Sequence, residues 1–442
     1  MVSQLGGREP FFVGPALSSW LEQVQSRGVK LGLGNIRRAL ALAADPQASF
    51  PSVLVGGTNG KGSTVAFVRS LLSSGGWRVG ATTSPHLVSY RERFSVAGEL
   101  ISPEALDRLA LSLRPLIEED PELGSFTFFE LGVLLAMSWF REQWVDAAVV
   151  EVGMGGEFDA TRACDPKVTA VVSVDLDHQK FLGSDLADIA ATKARIAVAG
   201  RPMVLGESRE DRLTVLRREA ELAGASVSVI GQDFQWSMAR GEFCYRSQRL
   251  QLRGGLGLAG WHQGQNAACA LAIVEELCAV TGRSLPQSEQ LVRGLAGASL
   301  AGRLEELVLS AGGRVLLDGA HNPAGAATLA ATLAARPRPQ RRIWLFASMA
   351  DKEQVGVAAA LLPHVDQVVC TAGTSSDRFA APEMLARALR DVQGGLAIEH
   401  QPTVSIALER LLSELGPEDE LLVAGSLYLV GDVRRQLGLG LS

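Results

Sequence analysis

The sequence predicts an α/β protein of two domains, built mainly on parallel sheet. Short apolar runs alternate with helical patterns along the chain, the rhythm of βαβ units. A glycine-rich segment, Gly57-Thr58-Asn59-Gly60-Lys61-Gly62-Ser63-Thr64, sits between one such run and a helical pattern. The length of 442 residues exceeds the size at which a single core keeps growing.

Taken in order, Val53-Leu54-Val55 reads as a buried parallel strand, and Val65, Phe67, Val68, Leu71 and Leu72 recur at helical spacing behind the glycine loop. Residues 147–152 and 168–174 read as buried strands, and Met203-Val204-Leu205 as another. Residues 225–258 break the rhythm, with Val227, Val229, Phe234, Trp236, Phe243 and Tyr245 suggesting short antiparallel strands or a peripheral hairpin. Helical spacing returns from Asn266 to Val280. A Gly- and Ala-rich stretch, Gly294 to Gly302, then precedes a new strand–loop–helix unit at Val315-Leu316-Leu317-Asp318. This places the domains at 1–296 and 297–442. Further strands are expected near Ile343–Phe346, Gln367–Cys370 and Leu421–Ala424.

The glycine segment is the strongest functional signal. Strand, tight loop and helix N-terminus point unpaired backbone N–H groups and the positive end of the helix dipole at one spot, which suits a phosphate. Lys61 adds a point charge, and Ser63 or Thr64 offers a hydroxyl to Mg²⁺. The match to the P-loop pattern is imperfect, because Val55 stands at the first Gly and Gly62 follows the Lys. A ligand-free glycine turn is the competing reading.

Composition excludes other classes. The formal charge of −6 argues against nucleic acid, and 47% hydrophobic with 20% charged residues describes a globular protein. Five Cys, at 164, 244, 269, 278 and 370, show no CxxC spacing, so neither a disulfide frame nor a zinc site is expected. Met1 to Pro10 carries no apolar core of a signal peptide, and no run approaches the ~18 apolar residues of a membrane span. A cytoplasmic protein is expected.

Other residues stand where α/β sheets bind ligands, at the carboxyl ends of strands. Glu151 ends a strand before Gly153-Met154-Gly155-Gly156, and Asp177-His178 follows the next. Glu151 is either a solvated strand-end carboxylate or a site residue, and His178 either structural or a ligand. Pointing into the crevice of the Lys61 loop, they would complete a divalent-metal shell.

Several strings together resemble the folylpolyglutamate synthase/dihydrofolate synthase family of the Mur ligase superfamily. They are the phosphate loop, Ser84-Pro85-His86-Leu87 with Arg91-Glu92-Arg93, Thr127-Phe128-Phe129-Glu130, and residues 151–156 with Asp159-Ala160-Thr161. They continue with Leu176-Asp177-His178, Gly302-Arg303-Leu304-Glu305, Asp318-Gly319-Ala320-His321-Asn322-Pro323, Asp351-Lys352 and residues 425–431. The resemblance spans about Gly32 to Arg435. Leu31 to Arg38 is similar to the family segment near the pterin.

The resemblance implies an N-terminal P-loop ATPase domain and a smaller Rossmann-like C-terminal domain. It implies an ATP-dependent ligase that activates the carboxylate of a folate or dihydropteroate as an acyl phosphate, which the amine of L-glutamate attacks. Thr58, Asn59, Gly60, Lys61, Gly62 and Ser63 would hold the phosphates. Ser63, Ser84, Glu151 and His178 would hold Mg²⁺, expected as two ions. Lys193 aligns with a family lysine carbamylated by CO₂, which would make it a further metal ligand; otherwise it is a surface lysine in a salt bridge. Asn266, Arg303 and Asp318 would face the nucleotide, although Asn266 also reads as a helix N-cap. Arg93, Asp318, His321 and Ser426 would contact the amino-acid substrate, with Ser426 equally a turn residue. Lys61, Lys193 and His321 are the catalytic candidates. A monomer without nucleic-acid or membrane partners is expected. A muramyl-peptide ligase and a non-catalytic ATP-binding paralogue are the alternatives.

Overall fold

The computed structural model describes residues 13–25, 28, 32–123, 126–177, 179–310 and 312–441. Its first sheet contains β1 (Ser52–Gly56), β2 (Val79–Thr82), β3 (Phe94–Val96), β4 (Glu99–Leu100), β5 (Ala147–Glu151), β6 (Val168–Val171), β7 (Pro202–Leu205) and β8 (Ser226–Val229). Their order is β4-β3-β2-β5-β1-β6-β7-β8, parallel except that β3 runs antiparallel to both of its neighbours, β2 and β4. Chain order and spatial order diverge around β1, which lies between β5 and β6. The register sets Val55 beside Glu151 and Gly56 beside Val171. The loops after β1, β5 and β6 therefore leave the sheet side by side, at the end where open α/β sheets bind ligands.

Period-two alternation packs both faces of this sheet. Leu54, Ala148, Val150, Val171 and Leu205 join one core, under helices Phe128–Glu142 and Leu186–Ala194. The opposite core takes Val53, Val55, Ala147, Val149, Ala170 and Val204, under helices Lys61–Ser74 and Gln263–Thr281. A small antiparallel sheet follows, with β9 (Phe234–Ala239), β10 (Glu242–Ser247) and β11 (Gln251–Gly254) in the order β11-β10-β9.

The last sheet holds β12 (Glu305–Val308), β13 (Arg314–Leu317), β14 (Arg342–Phe346), β15 (Gln367–Cys370), β16 (Ala397–His400) and β17 (Glu420–Ala424). The order is β12-β13-β17-β14-β15-β16, parallel except that β12 is antiparallel to β13. It too is covered on both faces: Leu316, Trp344, Phe346 and Leu422 face one core, and Val315, Leu317, Ile343, Leu345 and Leu421 the other.

Two sequence expectations change. Val227 and Val229 belong to β8, a parallel edge strand beside β7 rather than part of the antiparallel unit. The helix Glu210–Leu222 makes β7 and β8 the strands of one more βαβ unit. Asn266 is not an N-cap: its helix begins at Gln263, and Asn266 lies inside the first turn. No helix among the described residues is long and apolar enough to cross a membrane.

Candidate active site

A cavity of about 860 Å³ opens at the carboxyl ends of the first sheet and is walled on its far side by the second large sheet, β12 to β17. The loop after β1 is its floor. Gly57 and Gly60 have φ of +139° and +86°, backbone that side chains rarely tolerate. A Cβ on Gly60 would also stand 2.4 Å from Asn266 Oδ1. Thr58 and Asn59 tie this loop to the next strand's exit. Thr58 Oγ1 donates to Asp175 O at 3.0 Å, and Asn59 N donates to Ser173 Oγ at 3.1 Å. Gly60 precedes the helix Lys61–Ser74, so that N-terminus faces the cavity.

Lys61 Nζ donates to the carbonyls of Gly57 and Thr58 at 3.1 and 3.0 Å. Lys193 Nζ donates to the same Gly57 carbonyl at 3.1 Å. Lys193 is buried, which overturns its reading as a surface lysine. Burial, and then the Lys61 charge, push its pKa down to about 7.

Glu151 is buried as well, not a solvated strand end. Burial pushes its carboxyl above the ordinary range, opposed first by Lys61. Its Oε2 accepts the backbone N–H of Ser84 at 3.1 Å. A side chain at Gly62 would begin 3.6 Å from the same oxygen, so glycine there keeps the space beside Glu151 open. Among the described residues no three His, Cys, Asp or Glu converge as metal ligands, and His178 lies outside them. The set around the cavity is instead hard oxygen: Glu151 with the hydroxyls of Ser63 and Ser84. A buried carboxylate beside hydroxyl oxygens and open space fits Mg²⁺.

The second sheet supplies the opposite wall. Asp318 ends its strand and spends both oxygens on backbone N–H groups, those of Leu304 at 3.0 Å and Ala320 at 2.9 Å. Arg303 passes where a Cβ on Gly319 would be 2.3 Å from Nη1. His321 Nδ1 lies 2.8 Å from the Gly319 carbonyl, which fixes its proton on Nδ1, and Nε2 faces Asp177 at 3.5 Å. Ser426 caps the helix Leu427–Gln436, its Oγ accepting from Tyr428 N at 3.2 Å, and it lines the cavity. Arg93 lines it too, its guanidinium carbon over the Tyr90 and Phe128 rings at 5.4 and 5.2 Å from their centroids. Gly32 lines the cavity, whereas Leu31 lies outside the described residues.

Residues 55–274 match the Mur ligase middle domain, and residues 302–427 the Mur ligase glutamate ligase domain. The chain is 32% identical over 434 residues to the dihydrofolate synthase/folylpolyglutamate synthase of Bacillus subtilis, covering 95% of this chain and 98% of that one. It belongs to the folylpolyglutamate synthase/dihydrofolate synthase family. These are ATP-dependent ligases. The chain spans about half the length of a 36% identical relative in Haloferax volcanii, a probable bifunctional folylpolyglutamate synthase/dihydropteroate synthase that aligns over 92% of this chain and 48% of its own.

Solved structures agree with the family. Escherichia coli FolC in complex with DHPP and ADP superposes with a TM-score of 0.86 at 29% identity, covering 97% of this chain and 99% of that one. The Yersinia pestis bifunctional enzyme, complexed with AMPPNP and Mn ion, gives 0.84 at 28% identity, over 97% and 100%.

Some residues around the cleft carry no role that their local sequence shows. Asn322 exchanges amide hydrogen bonds with Asn59 at 3.1 and 3.2 Å, and Lys352 pairs with Asp177. Both join the phosphate loop's side of the cleft to the second sheet's side. Asn322 and Lys352 sat inside recognised strings, but pairing between residues 263 apart leaves no local signal. Gln263, whose Nε2 donates to Ser63 Oγ at 3.4 Å, was legible only as the residue before a helical pattern.

Proposed function

We propose that this chain joins L-glutamate to the carboxylate of dihydropteroate or a folate, converting ATP to ADP and phosphate. The observation that carries the reading is the convergence of Lys61, Glu151, Arg93, Arg303 and Asp318 on one cavity from two sheets. Phe128, Phe129, Met154 and Phe158 wall part of it, a surface suited to flat rings. Residues 1–296 form the nucleotide- and pteroyl-binding domain in this reading, and 297–442 the glutamate-ligase domain. The protein acts as a cytoplasmic monomer.

A carboxylate is a poor electrophile, and its two anionic partners repel. Lys61 and the loop N–H groups hold the phosphates and offset developing charge. A carboxylate oxygen of the pteroyl substrate attacks the γ-phosphorus, and ADP leaves. The glutamate amine then attacks the acyl carbon, and inorganic phosphate leaves with that oxygen. His321 Nε2 takes the proton of the attacking amine in this reading. Arg93 and Ser426 hold the amino acid, and Asn266, Arg303 and Asp318 the nucleotide. Ser63, Ser84, Glu151 and His178 would hold Mg²⁺, as two ions with Lys193 contributing to the second; the metal would supply charge neutralisation at the transferred phosphoryl group. Phosphate release tests this directly. It should require both a pteroyl substrate and glutamate, and equal ATP hydrolysis without them would contradict the ligase reading.

Lys193 contributes as a carbamate. A buried ammonium beside Lys61 is costly, and only its neutral amine attacks CO₂. With a pKa near 7, the neutral fraction grows as pH rises, so carbamate is scarce below that value. Added bicarbonate should therefore raise activity at pH 6 and do little at pH 8.5. Electron density that ends at a bare amine in a metal-bound crystal would exclude the modification.

A further inference from the structure

We infer that His86 is a positioning residue for glutamate recognition, holding Arg93 so that its terminal nitrogens serve the incoming carboxylate. This rests on the assignment of Arg93 to L-glutamate.

Arg93 Nε donates to His86 Nδ1 at 2.9 Å. That bond needs Nδ1 unprotonated, so His86 acts as a neutral acceptor. Nearby carboxylates cannot replace it. Glu92 accepts the backbone N–H groups of Leu87, Val88 and Ser89 at 2.9, 3.0 and 2.8 Å, and Glu151 is turned to Ser84. The Tyr90 and Phe128 rings lie under the guanidinium carbon at 5.4 and 5.2 Å but are inclined at 69° to each other, so they attract its charge without setting its rotation. A hydrogen bond at Nε fixes that rotation. It leaves Nη1 and Nη2, the fork that grips a carboxylate in two parallel bonds, for a ligand.

His86 is itself held in place. Its ring meets Tyr90 edge-on, with centroids 5.9 Å apart. The following residue is pinned against the second sheet's layer: a Cβ on Gly431 would fall 2.0 Å from Leu87 O. The segment that carries His86 thus has little freedom to drift, and the imidazole passes that order to Arg93. An apolar residue at 86 would keep the packing and lose the rotation.

Steady-state kinetics of three variants separates these roles, with ATP, dihydropteroate and glutamate varied in turn. His86→Phe keeps the ring and removes the acceptor. It should raise the KM for glutamate about tenfold, the scale of one hydrogen bond to a charged group, with the other two KM values within about twofold. His86→Asn places Oδ1 where Nδ1 stands and should restore the glutamate KM to within about threefold of the parent. Arg93→Ala should raise it further than His86→Phe. A thermal melt checks each fold, and His86→Leu replaces His86→Phe if the latter does not fold. An unchanged glutamate KM in His86→Phe, with a raised one in Arg93→Ala, overturns the positioning role alone. A parallel rise in all three KM values overturns it as well. An unchanged glutamate KM in Arg93→Ala removes the assignment of Arg93, and the inference with it.

Discussion

Lys61→Ala should lower turnover by about 10²-fold or more, the scale lost with one preorganised charge donor. Lys61 is the cation of the phosphate loop and stands on the same Gly57 carbonyl as Lys193. Removing it withdraws charge from the place where negative charge moves between ATP and the acceptor carboxylate. It also relieves Lys193 of a like-charged neighbour, so the Lys193 amine becomes easier to protonate and less available to CO₂. Both effects act against turnover. The check is kcat for a variant shown to be folded by its thermal transition, and a kcat within a few-fold of the parent would count against the assignment.

Glu151→Gln should cost at least about 10²-fold in turnover and raise the Mg²⁺ concentration needed for half-maximal rate. Gln keeps the size of the side chain and a carbonyl oxygen for the Ser84 N–H, which Glu151 accepts at 3.1 Å. What it removes is the buried negative charge. If Glu151 serves only to fix the Ser84 loop, the variant keeps its rate and metal requirement. Titrating Mg²⁺ against rate at saturating substrates distinguishes the two.

Much of the first sheet was legible because its strands are uniformly apolar. The runs at 53–55, 147–152, 168–174 and 203–205 became β1, β5, β6 and β7, with β5 and β6 trimmed at their ends and β1 and β7 extended. β2 and β12 gave no such signal: Val79–Thr82 contains Gly80 and Thr82, and Glu305–Val308 opens on two acids. Both are strands because neighbours pair with them, β5 for the first and β13 for the second. The phosphate loop could be read from local order alone, since strand, glycines and helix are contiguous. Glu151 was placed correctly at a strand end, but its burial depends on Ser84, Lys61 and Arg303 arriving from elsewhere in the chain. Lys193 shows the same limit more sharply. Its helix Leu186–Ala194 looks ordinary in sequence, and only the fold brings its amine to Gly57, 136 residues away.

The most direct measurement follows the carboxylate oxygen. Dihydropteroate carrying ¹⁸O in its carboxyl group would be turned over with ATP, Mg²⁺ and L-glutamate, and the released phosphate weighed by mass spectrometry. Activation through an acyl phosphate transfers one ¹⁸O atom to each phosphate released with product. Product formed alongside unlabelled phosphate would contradict it.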